Sequence, residues 1–474
     1  MNKFIKTLQS KNSVCTRLKN RLCVIVITSI FGFVMAACTN NDPISNGSQP
    51  TEPEAMSVKS AMEYFRDEGI TIGINAGNSL DAVDTWTNPG KPTAIETAWG
   101  NPKLNQSYFN GLASLGFKII RIPVTWNGHI GAAPNYKIDE AHLNRVAEVV
   151  GYAKNAGLKA FINIHHDGNH SLGGWFLLSK ALENQSNRQE ITAKYEAVWK
   201  QIADYFINYG DWLMFQGFNE VHANETDWGH ADGANASVRY ELINDLNQRF
   251  TNAVRSTGGN NAKRYLLYYG WNTSYKIAQA QSLFNLPSDG ANGTSRQVVG
   301  FHLYYPYNFS HDGTTHLWPN DFNWGSNEGT KEFIDVIFGN FKTKFTDNNI
   351  PVIMGENGPV RYRYNNANTV TAQNNRLLFI DYMYSKAIEN GIIPCYWEPG
   401  GEPAYHNESD DYGDFSLINR SNGQPNSSES KTVIERMINA IKNTTLPSSG
   451  GGNGQGTAAV ITWGDGFADT DLVH

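Results

Sequence analysis

The stretch LMFQGFNE (213–220) indicates the fold class, because it is a short, almost continuously apolar run that ends in an amide and a carboxylate. Continuous apolarity over so few residues is typical of a parallel β-strand that is covered on both faces. Seven further runs share this character: ITIGIN (70–75), FKIIRIP (117–123), KAFINIHH (159–166), RYLLYYGW (264–271), QVVGFHLYY (297–305), PVIMGEN (351–357) and IIPCYWE (392–398). The chain is therefore expected to contain eight parallel strands.

Helical patterns separate most of these runs. Apolar residues recur with a helical period at 143–153, 195–206 and 434–441. Such a stripe buries one face of a helix against a sheet. Eight strand–helix repeats predict an α/β fold, a (β/α)8 TIM barrel, and a doubly wound sheet is the competing architecture.

The barrel is predicted to span residues 60–443, well above the typical length of about 250 residues. The surplus predicts long loops after the strands, at 226–237, 310–330 and 398–428. Residues 39–59 are rich in Asn, Pro, Ser and Glu and are predicted to be a flexible linker. At the other end, 444–456 is predicted to be a Gly/Ser linker, followed by a C-terminal tail of unknown role at 457–474.

The first 38 residues are predicted to be a lipoprotein signal peptide with its lipobox. A basic segment without acidic residues precedes an apolar stretch at 22–37, which suits a signal h-region better than a membrane span. Small residues stand directly before Cys38, which resembles the bacterial lipoprotein signal. The resemblance implies lipidation of Cys38 and an exported protein, anchored by lipid at the bacterial outer membrane or cell surface. An ordinary signal peptide cleaved near Ala37 is the alternative.

The composition of the chain argues against several classes of binding partner. The formal net charge of the chain is −7, and the six basic residues of the signal make the remainder more acidic, which argues against a nucleic-acid partner. Only Cys395 lies in the predicted domain, so no disulfide within the domain is expected. A Gly-rich anion loop followed by a helix is also lacking, which argues against phosphate-bearing substrates. We expect a monomer that needs no cofactor.

Polar and aromatic residues cluster where the predicted strands end: Asn75, Arg121, His165, His166, Asn219, Glu220, Trp271, His302, Tyr304, Glu356 and Trp397. In a barrel these ends meet at one face, where the active site is built. Glu220 and Glu356 follow the fourth and seventh strands. Two carboxyl groups in different environments are what glycosidic bond cleavage requires, and a separation of about 5–5.5 Å predicts retention of configuration.

The segments FQGFNEVH (215–222) and VIMGENG (352–358) resemble the acid/base and nucleophile segments of glycoside hydrolase family 5. Four further segments resemble family motifs in family order: GFKIIRIPVTW (116–126), FINIHHDG (161–168), GFHLYYP (300–306) and PCYWEPG (394–400). GINAGNSLDA (73–82) and ETAWGNP (96–102) are similar to the opening of the endoglucanase and xyloglucanase branch, subfamily 4. The resemblance implies a (β/α)8 enzyme that hydrolyses a β-glucan polysaccharide.

The catalytic residues are expected to be Glu220 as acid/base and Glu356 as nucleophile. Arg121 is expected to keep Glu356 ionised, and nearby negative charge to hold Glu220 protonated. The supporting residues are Arg121, His165, Asn219, His302 and Tyr304. Tyr304 is expected to donate a hydrogen bond to the nucleophile, and Asn219 to the 2-hydroxyl of the substrate. A structural ion pair is the alternative for Arg121, and a satisfied core histidine for His165 and His302.

The predicted substrate-binding residues are Asn75, His166, Trp126, Trp271 and Trp397, since indole rings stack on the apolar faces of sugars. Trp397 is expected to form the floor at the cleavage point. No metal site is predicted, because His165 and His166 should face opposite ways on a strand.

The expected activity is that of a retaining endo-β-1,4-glucanase, a cellulase acting on cellulose-like polysaccharides. Xyloglucanase or mixed-linkage glucanase activity is the nearest alternative, and mannanase or xylanase activity a more distant one. An inactive glycan-binding lipoprotein is the alternative from another class of function.

Overall fold

The computed structural model describes residues 49–223, 231, 233–280, 282–313, 315–318, 330–362, 369–401 and 415–442. The predicted signal peptide, the lipobox with Cys38, the linker at 444–456 and the tail at 457–474 lie outside these residues. Part of each of the three predicted long loops also lies outside them. Within the described part of the chain, no helix is both long and apolar enough to cross a membrane.

Eight parallel strands form a closed barrel, so the predicted TIM barrel is confirmed. The strands are β1 (Gly73–Asn75), β2 (Ile119–Ile122), β3 (Lys159–Ile162), β4 (Leu213–Gln216), β5 (Leu266–Tyr268), β6 (Gln297–Leu303), β7 (Val352–Asn357) and β8 (Ile392–Tyr396). Gly73 pairs with Ile119 on one side and with Cys395 on the other, which closes the barrel between β8 and β2 through β1. The strands are almost entirely buried, which explains their continuous apolarity.

Ten α-helices lie along the described chain: α1 (Ala61–Asp67), α2 (Gln106–Leu115), α3 (Glu140–Asn155), α4 (Leu178–Glu183), α5 (Gln185–Tyr205), α6 (Ala236–Ser256), α7 (Tyr307–Ser310), α8 (Lys331–Lys344), α9 (Thr369–Glu389) and α10 (Ser428–Lys442). Local sequence sets their ends. At α1 the side chain of Ser60 accepts from the backbone of Glu63, whose carboxylate accepts in return from the backbone of Ser60. At the end of α2, Gly116 adopts the left-handed conformation, with φ 104°.

Most barrel strands end earlier than the apolar runs suggest, and this positions the site. β4 ends at Gln216, so Asn219 and Glu220 lie on the loop that follows it. β3 ends at Ile162, and a 3-10 turn begins at His166. Functional side chains on such loops are held by a rigid scaffold and take directions that a regular strand does not allow.

The segment before α1 corrects the prediction of a flexible linker at 39–59. Within its described part, the carboxylate of Glu54 accepts hydrogen bonds from the backbone of Gly210 at 2.7 Å and from Nε1 of Trp212 at 2.5 Å. The backbone of Ser57 donates to Asp211 at 2.7 Å. Residues 49–59 therefore pack on the amino-terminal end of the barrel, because Glu54 and Ser57 satisfy polar groups in the segment that leads into β4.

A small antiparallel ribbon, Val83–Asp84 with Thr93–Ala94, projects from the loop after β1. Its inner strand is fastened to the loop after β2, since the backbone of Ala94 donates to the carbonyl of Asn127 at 2.9 Å. The indole of Trp99 donates to the carbonyl of Val83 at 3.0 Å. The ribbon therefore forms part of the carboxyl-terminal face of the barrel, on the side of β1 to β3.

Candidate active site

Arg121 is the centre of the polar cluster at the carboxyl ends of the strands. It lies at the inner side of β2, is fully buried, and donates to four side-chain acceptors. The acceptor oxygens belong to Asn75 at 3.0 Å, Gln216 at 2.9 Å, Asn219 at 2.6 Å and Glu356 at 2.5 Å. A guanidinium group offers five donors in a rigid fork, so one side chain ties four elements of the barrel together.

Glu356 is held from two sides. Arg121 donates to its Oε1, and the hydroxyl of Tyr304 donates to its Oε2 at 2.9 Å, as predicted from the sequence. The side chain is only 8% exposed. An irregularity in the pairing of β6 and β7, between Phe301 and His302, brings His302 opposite Glu356. Charge-assisted hydrogen bonds of this kind fix a carboxylate in one orientation.

Glu220 has different surroundings. Its Oε1 lies 2.6 Å from Nδ1 of His302 and 3.5 Å from the hydroxyl of Thr273, and its side chain is 25% exposed. Burial raises the pKa of Glu220 above its ordinary value, and the charges of Arg121 and His222 oppose that rise. The predicted direction of the shift agrees, but the predicted cause does not, since desolvation takes the place assigned to a neighbouring negative charge.

The two carboxylates lie close together. Oxygen atoms of Glu220 and Glu356 and a ring nitrogen of His302 all lie within 4.8 Å of one another. Inverting glycosidases need about 6.5–9.5 Å between the carboxyl groups to admit a water molecule, whereas retaining enzymes have about 5–5.5 Å. The separation in this barrel corresponds to the second arrangement.

The proton position on His165 follows from its neighbour. The side-chain oxygen of Asn163 accepts from the backbone of Val124 at 3.0 Å, so its amide nitrogen, 3.1 Å from Nδ1 of His165, is the donor there. Burial lowers the pKa of His165 well below its ordinary value, so the ring is neutral and carries its proton on Nε2. Nδ2 of Asn219 lies 3.4 Å from this nitrogen. Two donor nitrogens thus lie side by side.

Asp81, His165 and His166 form a cluster with one possible metal-ligating atom each. The sequence-based expectation that the two histidines face opposite ways is wrong, since their Nε2 atoms lie 3.9 and 3.8 Å from Oδ2 of Asp81. The reason is that β3 has ended before them. A metal ligand must offer a lone pair, whereas Nε2 of His165 carries the proton, because its Nδ1 accepts from Asn163. This donor set is therefore a poor fit for a metal ion.

Trp397 is partly exposed, and its ring is parallel to that of His165, with centroids 6.1 Å apart. Gly77 makes this position accessible, because a Cβ there would lie 2.7 Å from Cη2 of Trp397. On the other side of His165, His166 is partly exposed and packs against Trp99, with ring centroids 5.4 Å apart. Successive ring contacts thus join Trp397, His165, His166 and Trp99 in a row.

Three predicted substrate-binding residues are buried, which corrects their assignment. Asn75 is 0% exposed, donates to the carbonyls of Gly355 and Tyr396, and accepts from Arg121. Trp126 is 0% exposed, and its indole donates to a backbone carbonyl at 3.0 Å. Trp271 is also 0% exposed. A fully buried ring or amide cannot contact a sugar, so Asn75 serves to position Arg121, and the two tryptophans belong to the core.

Sequence reasoning missed two polar residues of the cluster, Gln216 and Asn163. Gln216 accepts from Nε of Arg121 and donates to the carbonyl of Phe218. Each of the two is a polar residue inside an otherwise apolar run, and that interruption is a signal which the sequence contains. Gln216 and Asn163 orient the side chains that the sequence did single out.

The sequence model "Cellulase (glycosyl hydrolase family 5)" matches residues 80–402. Endoglucanase A of Paenibacillus barcinonensis is 32% identical over 409 residues, which cover 82% of this chain and 92% of that protein. The xyloglucan-specific endo-β-1,4-glucanase of Bacteroides ovatus is 33% identical over 384 residues, covering 78% of this chain and 69% of that protein.

Among solved structures, the GH5-4 broad specificity endoglucanase from Bacteroides salanitronis superposes with a TM-score of 0.69 at 34% identity. The match covers 83% of this chain and 98% of that one. Family match, relatives and barrel agree with the polar cluster at the carboxyl ends of the strands. The chain therefore belongs to glycosyl hydrolase family 5, the cellulase family.

Proposed function

We propose that this chain is a retaining endo-β-1,4-glucanase in which Glu356 is the nucleophile and Glu220 the acid/base. The observation that carries the proposal is the pair of carboxylates within 4.8 Å of one another in unlike environments. Glu356 accepts hydrogen bonds from a guanidinium on one oxygen and from a phenol on the other, which fixes its carboxyl group for attack. The raised pKa of Glu220 suits a group that must deliver a proton.

The reaction follows in two steps. In the first, a carboxylate oxygen of Glu356 attacks the anomeric carbon, the bond to the leaving oxygen breaks, and Glu220 transfers its proton to that oxygen. In the second, Glu220 takes a proton from water, the water oxygen attacks the same carbon, and Glu356 leaves. Two inversions return the original configuration, and Glu220 regains its proton for the next cycle.

Substrate binding is assigned to Trp397 and Asn219. Trp397 is partly exposed and offers a flat apolar surface to a pyranose ring, and Nδ2 of the buried Asn219, 3.4 Å from Nε2 of His165, is a donor suited to a 2-hydroxyl. His166 and Trp99 continue the surface beyond Trp397. This row of rings suits an unbroken sugar chain, which supports cleavage within a polysaccharide.

Xyloglucan is the second candidate substrate, favoured by the xyloglucan-specific relative from Bacteroides ovatus. Its backbone is the same β-1,4-glucan, so the same catalytic pair serves both substrates. Mannanase and xylanase activities are less favoured, because the relatives described above are named as glucanases. The inactive glycan-binding alternative is disfavoured because the glutamate pair and its supporting hydrogen bonds are complete.

Reducing-sugar release from carboxymethylcellulose, mixed-linkage β-glucan, xyloglucan, mannan and xylan tests the substrate. Early NMR spectra of the products test the stereochemistry, and we expect the β-anomer first. Appearance of the α-anomer first would contradict the role of Glu356. Full activity on mannan or xylan, with none on glucans, would contradict the substrate.

We also propose export and lipid anchoring through Cys38, supported by the basic segment, the apolar stretch and the small residues before that cysteine. Metabolic labelling with a radioactive fatty acid tests it. We expect label in the membrane fraction for the native chain and none for Cys38→Ala, with Cys395→Ala as the control. Label that persists in Cys38→Ala would overturn the proposal.

A further inference from the structure

Tyr269 lies directly after β5 and occupies space that two glycines provide. A Cβ on Gly300 in β6 would lie 2.2 Å from Cζ of Tyr269, and a Cβ on Gly355 in β7 would lie 2.3 Å from its hydroxyl oxygen. Any other residue at either position would exclude the ring. Glycine inside a strand weakens it and marks a close approach of another group, so the two neighbouring strands are shaped around this tyrosine.

The hydroxyl of Tyr269 lies next to His302, which in turn contacts Glu220. The Cβ position on Gly355 that lies 2.3 Å from the hydroxyl is 3.2 Å from Nε2 of His302. The two rings meet edge to face, with centroids 5.6 Å apart. Within the described residues, neither the hydroxyl of Tyr269 nor Nε2 of His302 forms a hydrogen bond, either with the other or with a third group. Both atoms are buried, and leaving both unpaired would be costly.

The chemistry of the imidazole assigns the donor. Burial lowers the pKa of His302 to about 3, so its ring is neutral and carries a single N–H. Nδ1 lies 2.6 Å from Oε1 of Glu220, and an ionised carboxylate there requires the N–H on Nδ1. Nε2 is then an acceptor and needs a donor. Burial raises the pKa of Tyr269, so its hydroxyl keeps the proton that it donates.

We propose that Tyr269 is a positioning residue for the acid/base step, whose hydroxyl donates to Nε2 of His302, directly or through one water, and so fixes the imidazole proton on Nδ1. The proposal rests on the assigned role of Glu220. With Nδ1–H directed at Oε1, that oxygen accepts in both protonation states of Glu220. The catalytic proton is therefore confined to Oε2.

Removal of the hydroxyl changes which oxygen carries the proton. In Tyr269→Phe, Nε2 of His302 loses its hydrogen-bond donor, and the tautomer with the proton on Nε2 becomes more populated. Nδ1 then accepts from a protonated Oε1 of Glu220, which stabilises the protonated carboxyl and turns its proton toward the histidine. We expect a higher pKa of Glu220 and slower proton delivery to the leaving oxygen.

Other charged groups around Glu220 do not change in this variant. Among the described residues they are Arg121 from β2, His222 from the loop of Glu220 itself and Glu356 from β7, together with the titratable hydroxyl of Tyr304 after β6. Tyr269 itself lies near Arg121, Glu356 and the thiol of Cys395. A shift of the pH profile in Tyr269→Phe is therefore attributable to His302 and its partner.

The test compares Tyr269→Phe with Tyr268→Phe, in which the buried hydroxyl that is lost contacts the hydroxyl of Thr251 at 2.9 Å, away from the site. For β-glucan we expect Tyr269→Phe to lower kcat about tenfold, the factor that one net hydrogen bond carries, with KM unchanged. The alkaline limb of its kcat/KM profile should move to higher pH. With a 2,4-dinitrophenyl cellobioside, whose leaving group needs no proton, the loss in kcat/KM, which reports the first step alone, should nearly disappear.

Equal losses on both substrates, or an unshifted alkaline limb, would overturn the proposal. Tyr268→Phe should show neither effect, and thermal unfolding of both variants separates misfolding from the specific effect. Glu220→Ala, assayed in parallel, keeps two failures apart. If that variant retains full activity, the assigned role of Glu220 is wrong, whereas if only Tyr269→Phe behaves like its control, the positioning role is wrong.

Discussion

The surroundings of Glu356 differ from those of Glu220, although the two carboxylates lie within 4.8 Å of one another. Glu356 belongs to a strand, is 8% exposed, and contacts a guanidinium and a phenol. Glu220 lies on a loop, is 25% exposed, and contacts a neutral imidazole. One carboxylate thus meets a full positive charge that is itself buried, and the other meets a group that carries no charge.

The contrast is what the proposed division of two roles between identical side chains requires. A full positive charge in contact favours an anion, whereas burial beside a neutral partner favours the protonated acid. The proposed division of roles depends on which of the two carboxylates Arg121 contacts directly. Substitutions that remove one carboxylate, or its partner, at a time therefore test whether the two roles are separate.

The largest effect is expected for Glu356→Ala, which removes the proposed nucleophile itself. We expect kcat on β-glucan to fall on the order of 10⁵-fold, as for other covalent nucleophiles. Added azide should restore cleavage of an activated aryl glycoside and give the α-glycosyl azide, because azide attacks from the vacated face. A β-glycosyl azide from this variant would show that Glu356 is not the nucleophile.

The next effect is expected for Glu220→Ala, which removes the proposed proton donor and leaves the proposed nucleophile in place. On β-glucan we expect a loss of about 10³-fold, within the range that general acid catalysis supplies. On a dinitrophenyl glycoside the first step should survive, and azide should yield the β-glycosyl azide. If both variants gave the same azide anomer, the two carboxylates would not have separate roles.

Arg121→Lys tests the group that connects the surroundings of the two carboxylates. We expect kcat to fall about 10²-fold, because lysine keeps the positive charge but loses the planar, forked guanidinium group. The single ammonium group cannot reach the oxygens of Asn75, Gln216, Asn219 and Glu356 together. We expect kcat to fall while binding of cellotetraose, measured by calorimetry, changes little. The control is Arg188→Lys, whose partners Glu241 and Asp245 lie at the surface, away from the site.

Much of the fold was predictable from the sequence, because burial on both faces leaves a direct trace in the residues. All eight apolar runs contain a barrel strand, and the run at 213–220 contains β4. The ends of the strands were less predictable, since apolar residues continue past them into packed loops. Residues 49–59 were misjudged because Glu54 satisfies backbone and indole donors that are distant in sequence.

The site was predictable where a side chain contacts its partner directly, as with Arg121, Tyr304 and Glu356. It was not predictable where exposure decides, since Trp126 and Trp271 look as suitable for sugar stacking as Trp397 does. Only packing shows that the first two are enclosed. The direction of His166 was also inaccessible, because it depends on where β3 stops.

The smallest expected effect is on the stability of the protein, and it tests the different surroundings of Glu220 and Glu356 in the absence of substrate. The raised pKa of Glu220 means that its contribution to stability is complete below the ordinary carboxyl pKa and is lost as pH rises through the folded value. Glu220→Gln should therefore unfold at a higher temperature than the native chain at pH 8, and this advantage should vanish near pH 4.

Glu356→Gln should instead be less stable at pH 8 by about 3 kcal/mol, because it leaves the buried charge of Arg121 unpaired. Calorimetric unfolding of both variants across this range checks the signs. Shifts of the same sign at pH 8 would mean that the two carboxylates experience equivalent surroundings, contrary to the division of roles.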